Sequence, residues 1–212
     1  MRLLVFGATG GTGKELVSQA LAAGHEVLAI VRNASGVSTQ HERLRVIQGN
    51  IFEPTTYASE LNGADAVVGA LGAHGVPKSP VSLYSDWASH ILPAMRERGV
   101  SRIIAVSAGA YVNSARSPAL FRLIVQPILL RLLRHTYDDL QRMEALIADS
   151  STRWTIVRPG RLTDGPLTGE YRTAINDVVA GGWTIARADV ADLILKCAVT
   201  GAHVGERLSI TR

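Results

Sequence analysis

The sequence predicts a single α/β domain, residues 1–212, built on one doubly wound, mostly parallel sheet. Three observations carry that expectation. Short, nearly continuous apolar runs alternate with longer amphipathic ones through residues 1–110, and each is closed by a glycine-rich or polar break. The short runs are apolar on both sets of alternating positions, as strands buried on two faces require, and the windows between them suit crossover helices. The chain is also long enough, at 212 residues and 47% apolar, to bury a core without a metal or disulfide staple.

Taken in order, Arg2 to Phe6 reads as the first strand and Gly11 to Ala23 as the first helix. Glu26 to Val31, Leu44 to Ile47, Asp65 to Val68, Arg102 to Val106 and Trp154 to Val157 read as further strands, with helical windows at 57–61, 81–98 and 137–148. Ser117 to Arg134 is the least regular stretch. Arg122 and Arg131 lie nine positions apart, so at about 100° per residue they would face opposite sides of one helix. Pro127 would also break such a helix. The expectation is two short segments packed on the sheet or covering a substrate cleft. Asp189, ahead of Val190 to Leu195, reads as an N-cap.

Composition narrows the partners. The net charge is +4, but Lys14, Lys78 and Lys196 are the only lysines and the arginines are scattered, which argues against a nucleic-acid stripe. No window suits a membrane span and no membrane partner is expected. Cys197 is alone, and the N-terminus runs into glycines too early for a signal peptide, so a cytoplasmic location is expected. The six histidines show no ligand spacing with one another or with Cys197, so no metal is expected.

The most informative run is Gly7-Ala8-Thr9-Gly10-Gly11-Thr12-Gly13, between the first strand and the first helix. Glycines there permit a tight turn and close approach of a pyrophosphate, while the helix end offers unpaired amides. The P-loop spacing is absent. After the second strand stands Arg32-Asn33, where an acidic residue would accept from the ribose of NAD. A guanidinium suits a 2′-phosphate, which favours NADP over NAD.

These motifs, with GALGAHG after the fourth strand and VSAGA after the fifth, resemble the atypical short-chain dehydrogenase/reductase group of NAD(P)H-binding, NmrA-like Rossmann proteins. The segments VRPGRLTDGPLTGEY and IARADVA are similar to biliverdin-IXβ reductase/flavin reductase. The resemblance implies that Gly7, Thr9, Gly10, Gly11, Thr12 and Gly13 hold the pyrophosphate and Arg32 the 2′-phosphate. It implies further that Asn50 and Ile51 flank adenine, and that Leu71 and Gly72 border the ribose and nicotinamide. Ser107 would lie near the carboxamide and substrate, and Pro159, Arg161 and Leu162 would line the nicotinamide pocket. The chain departs from the family pattern where Asn50 replaces Asp, Gly36 a basic residue and Arg161 a histidine.

The proton-exchanging Tyr-x-x-x-Lys pair of ordinary short-chain dehydrogenases is missing: Ala115, Gln141 and Ile175 stand four positions after Tyr111, Tyr137 and Tyr171. Ser107 also lacks a nucleophile-elbow sequence, which disfavours hydrolysis. The leading expectation is an NADPH-dependent reductase of a flavin, a tetrapyrrole or a related planar acceptor, with Ser107 orienting the carboxamide or substrate and Arg161 stabilising negative charge. His74 is a further candidate for substrate contact. The rival is a non-catalytic regulator that senses NADP(H). Either would be a monomer or weak homodimer.

Overall fold

A computed structural model describes residues 1–73, 75–112, 116–117 and 119–212. The strands β1 (Arg2–Phe6), β2 (Glu26–Val31), β3 (Leu44–Gln48), β4 (Ala66–Gly69), β5 (Arg102–Val106) and β6 (Arg153–Pro159) lie where apolar runs predict them. Short β7 (Arg161–Thr163), β8 (Arg172–Ile175) and β9 (Thr184–Ala186) and the longer β10 (Glu206–Thr211) complete the set. The main sheet runs β3-β2-β1-β4-β5-β6-β10-β8, parallel except for the antiparallel β10–β8 edge. The strand order reverses between β1 and β4, and such a switch point opens a ligand crevice at the carboxyl ends of the strands.

Alternation along β1 distributes the core. Leu3 and Val5 face one apolar cluster with helices α1 (Gly11–Ala22) and α5 (Arg187–Thr200). Leu4 and Phe6 face the other, with α2 (Leu83–Glu97) and α4 (Arg134–Ala148). Phe6 meets Tyr57 and Trp87 edge-on at 5.0 and 5.8 Å. The helix α2 has no side-chain cap of its own. Asp139 of α4, wholly buried, accepts instead from the amides of Tyr84 (2.8 Å) and Ser85 (3.3 Å) and from the Ser85 hydroxyl (2.5 Å).

Three expectations need correction. Residues 57–61 form no α-helix: tight 3-10 turns occupy Pro54–Thr56 and Ala58–Leu61, too short a stretch for regular helix. The stretch around Pro127 is not broken in two. A π-type turn at Phe121–Val125 runs directly into α3 (Gln126–Leu132), giving one helical run from 119 to 132. The wider turn absorbs the carbonyl that the proline ring would otherwise strike. Finally, α5 begins at Arg187 with Ala186 as N-cap, so Asp189 lies inside the first turn. Its carboxylate accepts from the Thr168 and Gly169 amides (2.8 and 2.9 Å) and the Thr168 hydroxyl (2.9 Å), pinning the preceding loop rather than its own helix.

Candidate functional site

The turn after β1 is shaped by two close backbone approaches. Gly7 has φ +80°, and a Cβ there would lie 2.3 Å from the Ala70 carbonyl oxygen at the end of β4. A Cβ at Gly13 would lie 2.1 Å from the Gly7 oxygen. Neither place has room for a side chain. The Gly10 amide donates to Gly7 O (2.9 Å) and the Lys14 amide to Gly10 O (2.8 Å), closing the first turn of α1. The amides of Gly11, Thr12 and Gly13 have no intrahelical acceptor, and no side-chain cap or first-turn acid satisfies this helix end. Thr9, Gly10 and Gly11 are exposed. This cradle of free amides and positive dipole fits a pyrophosphate.

On the adenosine side, Arg32 is exposed just beyond β2 and has no hydrogen-bond or ion-pair partner among the described residues. Asn33 accepts from the Ser35 amide (3.0 Å), turning the chain so that Gly36 meets Thr9; a Cβ on Gly36 would lie 3.1 Å from the threonine methyl. The Asn50 carboxamide is engaged in its own loop, donating to Glu53 (2.8 Å) and accepting from the Phe52 amide (3.1 Å). Ile51 is buried in the core beside it. The Leu71 amide would lie 3.0 Å from a Cβ on Gly7, so this segment abuts the phosphate loop, and Gly72 is exposed. His74 lies outside the described residues.

Ser107, Pro159, Arg161 and Leu162 come together around one cavity of about 720 Å³. The parallel β7–β9 pair sets Arg161 beside Thr184 and Leu162 beside Ile185. Arg161 is exposed, and its guanidinium has no partner among the described residues. Phe121, Val125 and Leu129 supply an apolar wall, with Phe121 edge-on to Trp183 at 4.5 Å. Arg187 joins cavity and loop. It lines the cavity, its Cδ lies 2.5 Å from where a Gly11 Cβ would be, and it ion-pairs with Asp164. Nothing in the local spacing singled out Arg187; the only sequence signal was its place in the IARADVA segment.

Behind Ser107 stands a buried network that the Tyr-x-x-x-Lys spacing does not signal. The Ser107 hydroxyl is 2.8 Å from that of Tyr111, which donates to the Glu144 carboxylate. Glu144 accepts from Arg158 Nε (2.9 Å) and, through a second bond, from Arg158 Nη2; Arg207 Nε lies 3.1 Å away. Burial alone would raise the Glu144 pKa, but hydrogen bonds and charge from Arg158, with donors Tyr111 and Ser107, bring it below the usual carboxylate range. Burial, then the adjacent carboxylate, pushes the Tyr111 phenol up, so it stays protonated.

The direction of each hydrogen bond follows. An ionised carboxylate only accepts, so the Tyr111 proton points to Glu144, and Ser107 must direct its one proton inward. The Ser107 oxygen keeps lone pairs free to accept, and Ser107 lines the cavity. A spatial tyrosine–lysine pair does exist elsewhere, with Lys196 Nζ 3.3 Å from the Tyr171 hydroxyl. That phenol is committed to Asp192 (2.7 Å); burial and this carboxylate push it up to about 12, and neither residue lines the cavity.

The chain matches, over residues 7–200, the family model described as NAD(P)H-binding. It is 28% identical to the uncharacterized protein YwnB of Bacillus subtilis, covering 99% of this chain and 98% of that one. It is 26% identical to the reductase pytE of Aspergillus terreus, covering 97% and 96%. Among solved structures, a short-chain dehydrogenase/reductase of Veillonella parvula in complex with NADP superposes with a TM-score of 0.82 at 16% identity, over 100% of this chain and 94% of that one. With the glycine cradle at the switch point of a Rossmann sheet and the match across nearly the whole chain, this protein belongs to the NAD(P)H-binding family.

Proposed function

We propose that the protein is an NADP(H)-dependent reductase of a planar conjugated acceptor such as a flavin or linear tetrapyrrole. One observation carries this reading: a cavity walled by apolar side chains and edged by Arg158, Arg161 and Arg187 adjoins the phosphate cradle, with Ser107 on its lining. The amides of the loop hold the pyrophosphate, and Arg32 pairs with the 2′-phosphate. When bound, the reduced nicotinamide supplies a hydride to the acceptor.

The chain's own residues do the positioning. Ser107, its proton committed inward, accepts from a carboxamide N–H and fixes the face presented to the cavity. Arg161 and Arg187 offset negative charge that an acceptor gains. The wall of Phe121, Val125 and Leu129 excludes water from one side and packs against a flat ring system. Tyr111 is held as a donor to Glu144 and releases no proton into the cavity, so the proton that completes reduction comes from solvent.

Mixing the protein with NADPH and FMN, FAD, riboflavin, biliverdin or a quinone, and following loss of the nicotinamide absorbance band, tests the reading. Turnover with a planar acceptor is expected. Tight nucleotide binding without turnover of any of them would overturn it in favour of a sensor. Ser107→Ala should lower kcat about tenfold, the worth of one hydrogen bond to a polarised group, with little change in nucleotide affinity. An unchanged kcat would remove Ser107 from the mechanism.

A further inference from the structure

The helical run 119–132 faces two ways. Phe121, Val125 and Leu129 look into the cavity. Leu120, Leu123, Ile124 and Ile128 are 68, 69, 53 and 60% exposed, and Leu132 is 53% exposed. No other stretch of this length among the described residues exposes as many large apolar side chains. The same region is cationic. Between Glu97 and Asp138 the sequence holds no acidic residue, whereas Arg122 and Arg131 lie in the run and Arg134 opens α4 directly after it. Arg131 and Arg134 are exposed and Arg122 is partly so.

We propose that this helix docks on an anionic lipid surface, lying in the plane of the headgroups. Leucine and isoleucine side chains enter the acyl boundary while the guanidinium groups pair with lipid phosphates, the arrangement of an interfacial amphipathic helix. A second copy of the chain fits less well. Two-fold pairing through this face would set like-charged arginines against one another with no carboxylate in the run to neutralise them. The helix lies on the surface rather than crossing it: among the described residues no helix is long and apolar enough to span a membrane. The sequence expectation of no membrane partner rested on the lack of a spanning window, on Arg122 and Arg131 facing opposite sides of one helix, and on a break at Pro127. The run continues through Pro127, and of the arginines it is Arg131 and Arg134 that are exposed, Arg122 being only partly so.

The docking is independent of which acceptor the cavity takes, and it is tested on the intact chain by sedimentation with vesicles. Phosphatidylcholine vesicles are compared with vesicles of phosphatidylcholine and phosphatidylglycerol, at low and high salt. Binding to the anionic vesicles is expected to be at least about tenfold stronger, at roughly 1 kcal/mol for each arginine near the surface, and to weaken as salt screens it. The double substitution Leu123→Glu with Ile128→Glu should abolish sedimentation while leaving nucleotide affinity unchanged, which reports an intact fold. Arg131→Glu with Arg134→Glu should remove the preference for phosphatidylglycerol. Wild-type protein left in the supernatant with anionic vesicles at low salt would overturn the proposal. So would undiminished binding by the Leu123/Ile128 variant, or a dimer in light scattering that this variant converts to monomer.

Discussion

At Gly10 the loop separates the needs of the fold from those of the ligand. Gly7 and Gly13 have no room for a Cβ, whereas one on Gly10 would lie 3.3 Å from the Gly7 oxygen, and the residue has ordinary extended dihedrals of −75° and 164°. Gly10→Ala should therefore change unfolding stability by less than about 1 kcal/mol, within the usual range for tolerated sites. It should weaken nucleotide binding about tenfold or more, because the backbone can no longer approach a pyrophosphate; equal affinity in calorimetry would show that the ligand does not touch this residue. Arg32→Asp tests the neighbouring claim. Loss of a charge-assisted pair should cost NADPH about tenfold to hundredfold in affinity and NADH little, and equal losses would place the 2′-phosphate elsewhere.

Among the secondary-structure elements, what was legible in the sequence was what neighbouring residues determine. The unit β1–loop–α1 could be read because its apolar run and glycine spacing are local, and β2, β4, β5 and β6 because each is buried on two faces. The edge strand β3 is only half-buried and showed through its apolar Leu44, Val46 and Ile47. The strands β7, β8 and β9 have three or four residues each and exist through distant partners such as Trp183, whose carbonyl accepts from the Arg161 amide at 2.9 Å. The network of Ser107, Tyr111, Glu144 and Arg158 was hidden for the same reason, since it joins residues from the segment after β5, α4 and β6. Its one local trace was a tyrosine four positions after Ser107. Asp139 capping α2 from α4 is another long-range device. Asp139→Ala should lower stability by about 2 kcal/mol, the upper range for a lost helix cap, measured by urea denaturation; a change under about 0.5 kcal/mol would show that the amides of Tyr84 and Ser85 find other acceptors.

For the molecule as a whole, the same buried carboxylate network ties stability to pH. Glu144 has a folded-state pKa below its ordinary value, so its contribution is fully present above the unfolded carboxylate pKa and is lost as pH falls through the depressed folded value. Glu144→Gln leaves Arg158 buried without its counter-charge and should cost about 3 kcal/mol at neutral pH. The variant should also show a shallower loss of stability on acidification than the wild type. Parallel acid limbs in the two proteins would mean that other carboxylates govern the acid transition.

The central claim is that the first helix end of this sheet binds the diphosphate of a nicotinamide dinucleotide. Calorimetric titration of the purified chain with NADPH and with NADH tests it directly. The account predicts a saturable one-to-one complex, tighter with NADPH and weakened by Gly10→Ala, whereas absence of a complex with either nucleotide would contradict it.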